Sequence, residues 1–421
     1  MKIIKLGLLG LTLFVYGSVS AQTINTPYSN HQLGEFLFQG LSHNYATGQV
    51  GIGMPTPWHI NLQNPALLTY NSFSSFQVAL QSDFRNYRSE LDESKAQSGS
   101  LRFLAMSFPV VANRWTSAFA VLPLTTMNYS TQSYSLIDEQ DSVLQSINNR
   151  GEGGLTQVQW ANGIRLYKGL TVGFKGSYIF GTLEKASNIS LSSPKVSTAN
   201  YVVSYYDMSR YSDLNLSLGL SYQAKLGEKN IVTMGLVHGL SKKIEGTIDF
   251  GRERQTPAGI TLSDTLLIAD EYIDFDLPKS YEFGVSYEKL NKLRVGLDIS
   301  FHDWESTQNS ESATVRNTLS IATGMEIIPD YTSVSSYLKR TSYRFGVNLR
   351  QLPYLENNTE INDFGINFGA AFPVSGYSSM DVAFKYGFRG TTDNSLIEER
   401  YFQVVIGATI NDRWFQKRRY D

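Results

Sequence analysis

The sequence predicts an all-β protein, a transmembrane antiparallel β-barrel of about fourteen strands with an N-terminal hatch or plug segment. Alternating apolar and polar residues recur along most of the chain. After residue 21 no stretch is apolar for the roughly 20 residues that a membrane helix requires. Only 18% of the residues are charged, against about 25% in an average soluble chain, so much of the surface must face something other than water.

The composition excludes several classes of protein. The 36 Lys and Arg against 38 Asp and Glu leave a net charge of −2, so the basic footprint of a nucleic-acid binder is missing. Without cysteine there is no disulfide, thiolate metal site or cysteine nucleophile. The five histidines have no metal-ligand spacing, and no G-x-S-x-G motif occurs. We therefore expect no enzyme, no metal and no other cofactor.

Residues 1–21 are typical of a secretory signal peptide. Two lysines precede an apolar run over residues 6–16, and Val19-Ser20-Ala21 offers a small-residue cleavage site before Gln22. A membrane anchor is the alternative, but the apolar run is too short to span a bilayer and polar sequence follows at once. The mature, exported chain is expected to begin at Gln22.

Strand periodicity is clearest from Leu214 to Tyr222, where LNLSLGLSY alternates apolar residues with Asn, Ser and Gly. The same alternation returns in Tyr281–Tyr287, Leu293–Phe301, Phe364–Phe372 and Met380–Phe388. The polar faces carry mostly Gly, Ser, Asn and Gln instead of the many charges of a soluble sandwich. A lipid-facing barrel is therefore favoured over a β-sandwich.

Glycines and aromatic residues refine this prediction. Gly weakens a strand unless something packs over it or backbone approaches closely. The many glycines in these strands therefore indicate a crowded barrel wall. They are Gly173, Gly219, Gly235, Gly284, Gly296, Gly346, Gly365, Gly369 and Gly407. Aromatic residues near strand ends are expected to form interfacial girdles, among them Trp115, Tyr129, Trp160, Trp304, Trp414 and Phe415.

The connections between strands alternate in length, as in outer-membrane barrels. Longer polar segments, expected to be loops, cover residues 86–100, 128–154, 182–212 and 245–279, among others. Residues 328–340 are long where a short turn is expected. Acidic clusters in the long segments suit either solvated charge, which we favour, or calcium-mediated contact with lipopolysaccharide.

Residues 22–71 precede the first strand and show no sustained alternation. They are rich in Gly and Pro but also carry aromatic and histidine side chains between Tyr28 and His59. A flexible periplasmic arm is one interpretation. A plug inside the lumen is preferred, because such side chains suit burial better than solvent. The expected organisation is a signal peptide (1–21), a hatch (22–71) and a barrel (72–421).

Several motifs resemble the FadL-type family of outer-membrane transport proteins. Asn64-Pro65-Ala66 stands where the family has its N-P-A hatch motif, and Leu122-Pro123-Leu124 supplies a proline in the third strand. Tyr178-Ile179-Phe180-Gly181 and the closing Asn411–Phe415 support the likeness. The chain is most similar to the branch found in gliding and gut-type Gram-negative bacteria, which is related to accessory barrels of type IX secretion. It departs from the family in ending with Lys417–Asp421 instead of a terminal aromatic residue.

This resemblance implies a fourteen-stranded, hatch-closed barrel in the outer membrane of a Gram-negative bacterium. Hydrophobic, fatty-acid-like molecules would enter from outside and leave sideways through a kink in the third strand. The alternative is a structural or partner-binding barrel attached to a secretion or surface-attachment machine. The implied partners are outer-membrane lipid and lipopolysaccharide, a hydrophobic ligand and secretion-machinery proteins.

Three residues of the barrel are candidates for specific roles. Pro123 cannot donate to a strand ladder, so it marks either a lateral gate or a harmless bend. Asp298 and His302 alternate with apolar neighbours and are expected to face the lumen, where hydrogen bonding within the wall is favoured over ligand contact.

Overall fold

The computed structural model describes residues 25–90, 92–140, 142–195, 201–256, 258, 260–307 and 315–413. The predicted signal peptide, Trp414 and Phe415 and the basic C-terminal residues lie outside these ranges. Among the helices of the described part of the chain, none is long and apolar enough to cross a membrane.

The described residues form an eighteen-stranded antiparallel sheet. Its strands are β1 (Glu35–Phe36), β2 (Ser74–Arg88), β3 (Glu93–Val111), β4 (Trp115–Pro123), β5 (Thr125–Asp138), β6 (Val143–Tyr167), β7 (Leu170–Ser192), β8 (Val202–Lys225), β9 (Asn230–Gly239), β10 (Lys242–Gln255), β11 (Thr261–Leu277), β12 (Lys279–Lys289), β13 (Leu293–Asp303), β14 (Thr318–Ile327), β15 (Ser342–Glu356), β16 (Thr359–Ser375), β17 (Ser378–Arg389) and β18 (Glu398–Asp412). The helices are α1 (Ser42–Ala46) and α2 (Tyr337–Arg340), with 3₁₀ turns at Pro27–Ser29, Pro65–Tyr70 and Asp393–Ser395.

These strands close into a fourteen-stranded barrel, which confirms the predicted fold class. We call each of the fourteen barrel-forming strands a stave. Three staves consist of two of the strands given above: β4 continues as β5, β9 as β10, and β11 as β12. The barrel closes where β18 pairs with β2, from Ser74 opposite Asp412 to Arg88 opposite Glu398. The short strand β1 is not a stave, because it belongs to the segment that precedes the barrel.

Burial in the barrel is the reverse of burial in a soluble protein. In β2, Phe76, Leu80 and Phe84 are exposed on the outer surface, whereas the alternating residues Gln81 and Arg85 are buried. Because successive side chains of a strand point to opposite faces, the outer wall is apolar and the inner wall is polar. This arrangement fits a barrel whose outer wall contacts lipid.

The largest apolar core lies between the inner wall and the residues that precede β2. Leu41, Tyr45, Ile60 and Leu62 of the leading segment pack against small wall residues such as Ala118. The small side chains of the wall leave room for the segment, so the core forms inside the barrel and not between two sheets.

Several segments predicted to be loops are paired strands instead. The strands β6, β7 and β8 have 25, 23 and 24 residues, far beyond the roughly 9–11 that a bilayer requires. Their extra length forms a wall that we call the projecting sheet: residues 127–138, 143–153, 181–192, 202–211, 246–255 and 261–273. Residues 86–100 are likewise largely strand. Apart from buried residues near its base, such as Met127, Tyr129 and Leu183, most side chains on both faces of this sheet are accessible to water, so its sequences lack the alternation on which the loop prediction depended.

The opposite end of the barrel has short turns, as predicted. The long connection over residues 328–341 contains helix α2, whose Tyr337 hydroxyl donates to the Pro373 carbonyl over 2.9 Å. The start of β2 and the end of β18 lie at this same end, since Ser74 pairs with Asp412.

Candidate functional site: a filled lumen beside a broken strand

Residues 25–71, which we call the N-terminal segment, contact the inner wall at backbone distance. A Cβ atom added to Gly284 would lie 2.4 Å from the Gly53 nitrogen, and one added to Gly346 would lie 2.5 Å from the Gly48 nitrogen. Neither position has room for a side chain. Backbone of the N-terminal segment also approaches Gly173 and Gly235, whereas Gly219, Gly296, Gly365 and Gly407 are approached first by side chains. Close packing over the wall therefore accounts for these glycines.

The Asn64-Pro65-Ala66 motif builds the turn that ends the N-terminal segment. The Asn64 side chain accepts from the Ala66 N–H over 3.0 Å and donates to the carbonyls of Ile52 (2.9 Å) and Leu220 (3.2 Å). Pro65 begins the 3₁₀ turn. One amide thus ties together the turn, the interior of the segment and strand β8 of the barrel.

Asp298 of β13 faces the lumen and holds the middle of the N-terminal segment. Its Oδ2 accepts from the N–H groups of Gly51 (2.6 Å) and Ile52 (2.8 Å). His302, four residues further along the strand, lines a cavity. Asp298 lines the same cavity, so the structure brings Asp298 and His302 to one cavity and joins Asp298 in addition to the Asn64 region through Ile52.

A buried ionic cluster joins the N-terminal segment to the last strands of the barrel. Arg389 donates to Glu35 Oε1 and Oε2 over 2.7 and 2.9 Å and to Asp363 over 2.5 Å. Lys385 lies 3.3 Å from Asp363, and Arg350 lies 2.9 Å from Glu35. The strands contribute these charges at inward positions, but the sequence carries no signal that pairs Glu35 with an arginine 354 residues away.

A second ionic chain runs across β13 to β17. His59 Nε2 lies 3.2 Å from Asp381, Asp381 lies 2.6 Å from Arg344, and Arg344 lies 2.7 Å from Glu326. Arg294 continues the chain at 2.9 Å from Glu326. The ring of His43 stacks on that of His59 with centroids 4.6 Å apart. His43 and His59 of the N-terminal segment are thus buried against the inner wall.

A cavity of about 330 Å³ lies between the N-terminal segment and the wall. Part of its lining belongs to one packed apolar cluster, which includes Phe36, Leu124, Ile179, Leu277 and Trp304. Other lining side chains are polar, among them Gln39, Lys175, Glu282, His302 and Arg350. The cavity can therefore offer both an apolar surface and hydrogen-bonding groups to one small molecule.

Two aromatic residues predicted as girdle members lie inside instead. Trp304 and Tyr129 are buried in the apolar cluster, where the Trp304 ring contacts that of Phe36 edge-on with centroids 5.4 Å apart. Trp115 and Trp160 are exposed on the outer wall, as predicted. Tyr129 follows the division between β4 and β5, and Trp304 follows the last residue of β13, so strand alternation does not assign either ring to a face.

The third stave of the barrel is interrupted after Pro123. Pairing between β3 and β4 extends only as far as Leu104 opposite Val121. Beyond the break, β5 pairs in the described residues with β6 and with β1 of the N-terminal segment, not with β3. The wall between the outer halves of β3 and β5 therefore lacks a hydrogen-bonded ladder there.

The N-terminal segment covers this gap from inside. Glu35 and Phe36 pair with Thr126 and Thr125 of β5, and the Leu37 N–H donates to the Leu124 carbonyl over 2.9 Å. From the other side of the gap, Arg102 of β3 donates to the Phe38 carbonyl. The segment thus takes the place of the missing strand contact.

The side chain of Gln39 fixes the segment beside the break. Its amide donates to the Pro123 carbonyl over 3.3 Å and accepts from the amide of Gln157 on β6. Because unpaired backbone groups in lipid cost several kcal/mol each, these contacts stabilise an otherwise open wall.

Comparisons with known proteins agree with the geometry. The model of the BamG family matches residues 2–421. No curated protein matches the chain.

Several solved structures with a similar fold are named as channels or transporters. The CymD monoaromatic hydrocarbon channel is 13% identical with a TM-score of 0.58, covering 91% of this chain and 100% of its own. A FadL homologue of Pseudomonas aeruginosa is 11% identical with a TM-score of 0.59, covering 89% and 98%. The toluene transporter TbuX of Ralstonia pickettii is 12% identical with a TM-score of 0.55, covering 89% and 99%. At these identities the likeness establishes the shared barrel fold.

Proposed function

This chain belongs to the BamG family and has the barrel fold of hydrocarbon channels, and from that premise we propose that it takes up small hydrophobic molecules across an outer membrane. The membrane would be that of a Gram-negative bacterium. The molecules would be fatty-acid-like, with an apolar body and a polar end. The N-terminal segment would act as the hatch and the break after Pro123 as the lateral gate.

The observation that carries this proposal is the position of the cavity behind the broken stave. Phe36, Leu37 and Leu124 line the cavity, and the same residues cover the gap between β3 and β5. A molecule in the cavity is therefore separated from the gap by Phe36 and Leu37 of the N-terminal segment together with Leu124 of the wall. Small movements of residues 35–39 would connect the cavity to the outer leaflet.

Lateral exit is physically preferable to release into the periplasm. Each CH₂ group that leaves an apolar site for water costs roughly 0.8 kcal/mol, so a fatty-acid-like chain is held back from the aqueous side. The two ionic networks that bind the N-terminal segment also obstruct a straight path through the lumen. An opening in the wall avoids both obstacles.

A reversible cross-link across the break tests the proposal. In this cysteine-free chain, Gln39→Cys and Gln157→Cys place two thiols where the amides now hydrogen-bond. A cleavable bismaleimide should fix the segment to β6 and reduce the uptake of a fluorescent fatty acid by barrel-containing vesicles at least tenfold. Reductive cleavage should restore it. Uptake by the cross-linked barrel at the parent rate would overturn the proposal.

Two proline variants, one at the break and one away from it, test the gate. Pro123→Ala restores a backbone donor at the break, so it should extend the ladder and slow uptake severalfold. Pro109→Ala changes a proline of β3 that lies opposite Thr116 within the paired part of β3 and β4, away from the break, and it should leave uptake unchanged. Equal rates for the two variants would contradict a gate at the third stave.

A second candidate function is a structural or partner-binding barrel attached to a secretion or surface-attachment machine. The observation that favours it is the projecting sheet, since uptake requires no strand longer than the membrane is thick. Both faces of this sheet are accessible, as a surface for protein contact would be.

A further inference from the structure

The strand β11 forms one border of the projecting sheet. One side of β11 pairs with β10 from Lys242 opposite Leu277 to Gln255 opposite Thr261. On its other side, no strand of the described chain pairs with it. At the base, Phe275 packs against Trp304 with ring centroids 6.3 Å apart. Above that base, all residues from Thr261 to Tyr272 are exposed.

An open edge of this kind presents a row of backbone donors and acceptors to any strand that can approach. Side chains along β11 are unusually apolar for an exposed strand: Leu262, Leu266 and Leu267 are 52%, 54% and 50% exposed. Natural edge strands are normally short or protected by charged side chains, most often lysine, by proline or by bulges. This one has seventeen residues without lysine or proline, and its charged side chains are all acidic, so the edge is suited to strand addition by a chain of opposite charge.

The charge of β11 restricts what can add to it. The strand carries five acidic residues and no basic one: Asp264, Asp270, Glu271, Asp274 and Asp276. A second copy of β11 would place these carboxylates near one another, which is unfavourable. Lys243 lies 3.3 Å from Asp274, but Asp264 stands opposite Glu253 in the β10–β11 register. Asp264 accepts a hydrogen bond from the Tyr206 hydroxyl and Glu253 accepts one from the Gln255 amide, and a cation on an incoming strand would stabilise this like-charge pair further.

The other border of the projecting sheet differs in this respect. The strand β5 is also open along its outer half, but its fourteen residues include one acidic residue, Asp138, and no basic one. The two edges therefore offer similar backbone and different charge. The open edge of β5 can therefore serve as the control for the open edge of β11.

We propose that the open edge of β11 is a docking site for an extended segment of a partner protein with Lys or Arg at alternate positions. The segment adds to the projecting sheet as a further antiparallel or parallel strand. This proposal deepens the partner-binding function above and is independent of uptake. Backbone hydrogen bonds provide the affinity, and the carboxylates of β11 select the basic side chains.

A designed peptide tests the edge directly. The probe is a fluorescent twelve-residue peptide of alternating Lys and Thr, titrated against the full barrel in zwitterionic micelles. It should bind, whereas the same peptide with N-methyl groups on alternate residues should bind at least tenfold more weakly. A Glu–Thr peptide should show no binding. Equal affinity of the methylated peptide would mean attraction of charge alone and would overturn strand addition.

Variants locate the site. Successive N–H groups of a strand point to opposite edges, so one of Thr265→Pro and Leu266→Pro removes an open-edge donor and keeps the β10 ladder. Whichever of these two variants lacks the open-edge donor should bind the peptide at least tenfold more weakly and still migrate as a heat-modifiable barrel. Ser133→Pro on β5 should bind like the parent. Asp264→Asn should weaken binding threefold or more and reduce its salt dependence.

Three further outcomes would contradict the proposal. They are full binding by both β11 proline variants, loss of binding only in Ser133→Pro, and dimerisation of the barrel through β11 in place of peptide binding. Fatty-acid uptake by the same variants is measured in parallel. Normal uptake without peptide binding refutes the docking site alone, and peptide binding without uptake refutes the transport proposal alone.

Discussion

The lumen and the projecting sheet are built from the same antiparallel strands but differ in what covers their two faces. In the barrel body the inner face is buried under the N-terminal segment and the outer face is apolar. In the projecting sheet the strands continue with both faces accessible. Alternation in sequence therefore reports a difference between the two faces and not the presence of a strand.

Charges follow the same division. Inside, Glu35, Arg389 and Asp363 are fully paired and almost inaccessible. Outside, the 2.8 Å pair between Arg210 and Asp249 is partly exposed. Buried pairs are costly to break and exposed ones are not, so the two regions should respond very differently to equivalent substitutions.

The largest expected effect comes from removing the Arg389 guanidinium, the cation that Glu35, Asp363 and Glu399 share. Arg389→Ala leaves Glu35 and Asp363 buried beside an empty space, and the free energy of unfolding should fall by about 3–5 kcal/mol. Urea titration of the barrel in lipid vesicles, followed by heat-modifiable gel migration, measures the change.

Arg400→Ala is the matched control for that substitution. Arg400 pairs with Glu398 on the exposed side of β18, where solvent screens the pair, so its loss should leave the free energy of unfolding close to that of the parent. If both variants unfold at the same urea concentration, the ionic cluster of the lumen does not stabilise the fold.

The sequence predicted some parts of the lumen and not others, for physical reasons. Alternation placed Asp298 on the inner face, and turn chemistry marked Asn64 and Pro65, because both signals are local. The partners of these residues are not local: Asp298 holds Gly51, which is 247 residues away. The outer halves of β6 to β8 were missed because water on both faces leaves no pattern in the residues.

A smaller effect is expected where backbone approaches backbone. Gly346→Ala puts a Cβ 2.5 Å from the Gly48 nitrogen, so the N-terminal segment must shift. We expect a loss of about 1–3 kcal/mol in unfolding free energy and faster entry of small polar sugars in a vesicle-swelling assay.

Gly176→Ala controls for the loss of a strand glycine. A Cβ at Gly176 would be 3.6 Å from its nearest neighbour, the Leu216 side chain, which is an ordinary contact. Stability and sugar entry should then match the parent. If Gly346→Ala also matches the parent, the segment does not depend on close contact with the wall.

The smallest effect is expected in the projecting sheet, where Arg210→Ala should act locally. Asp249 accepts from the Asp270 N–H over 2.9 Å and pairs with Arg210, and these contacts lower the pKa of the Asp249 carboxyl below its ordinary value of 3.8. A carboxyl with a lowered pKa stabilises the fold above its ordinary pKa, and that stabilisation disappears as the pH falls through the lowered value. Protection of the Asp270 amide against hydrogen exchange should therefore fall with acidification in the parent. In Arg210→Ala the protection of the Asp270 amide should be weaker and should be lost at a higher pH, because the carboxyl has lost a cation that favours its charged form.

Amides of β13, which lies in the barrel body, should exchange as in the parent. Faster exchange throughout β13 would show that the projecting sheet and the barrel open as one unit, and the distinction between the two regions would then fail.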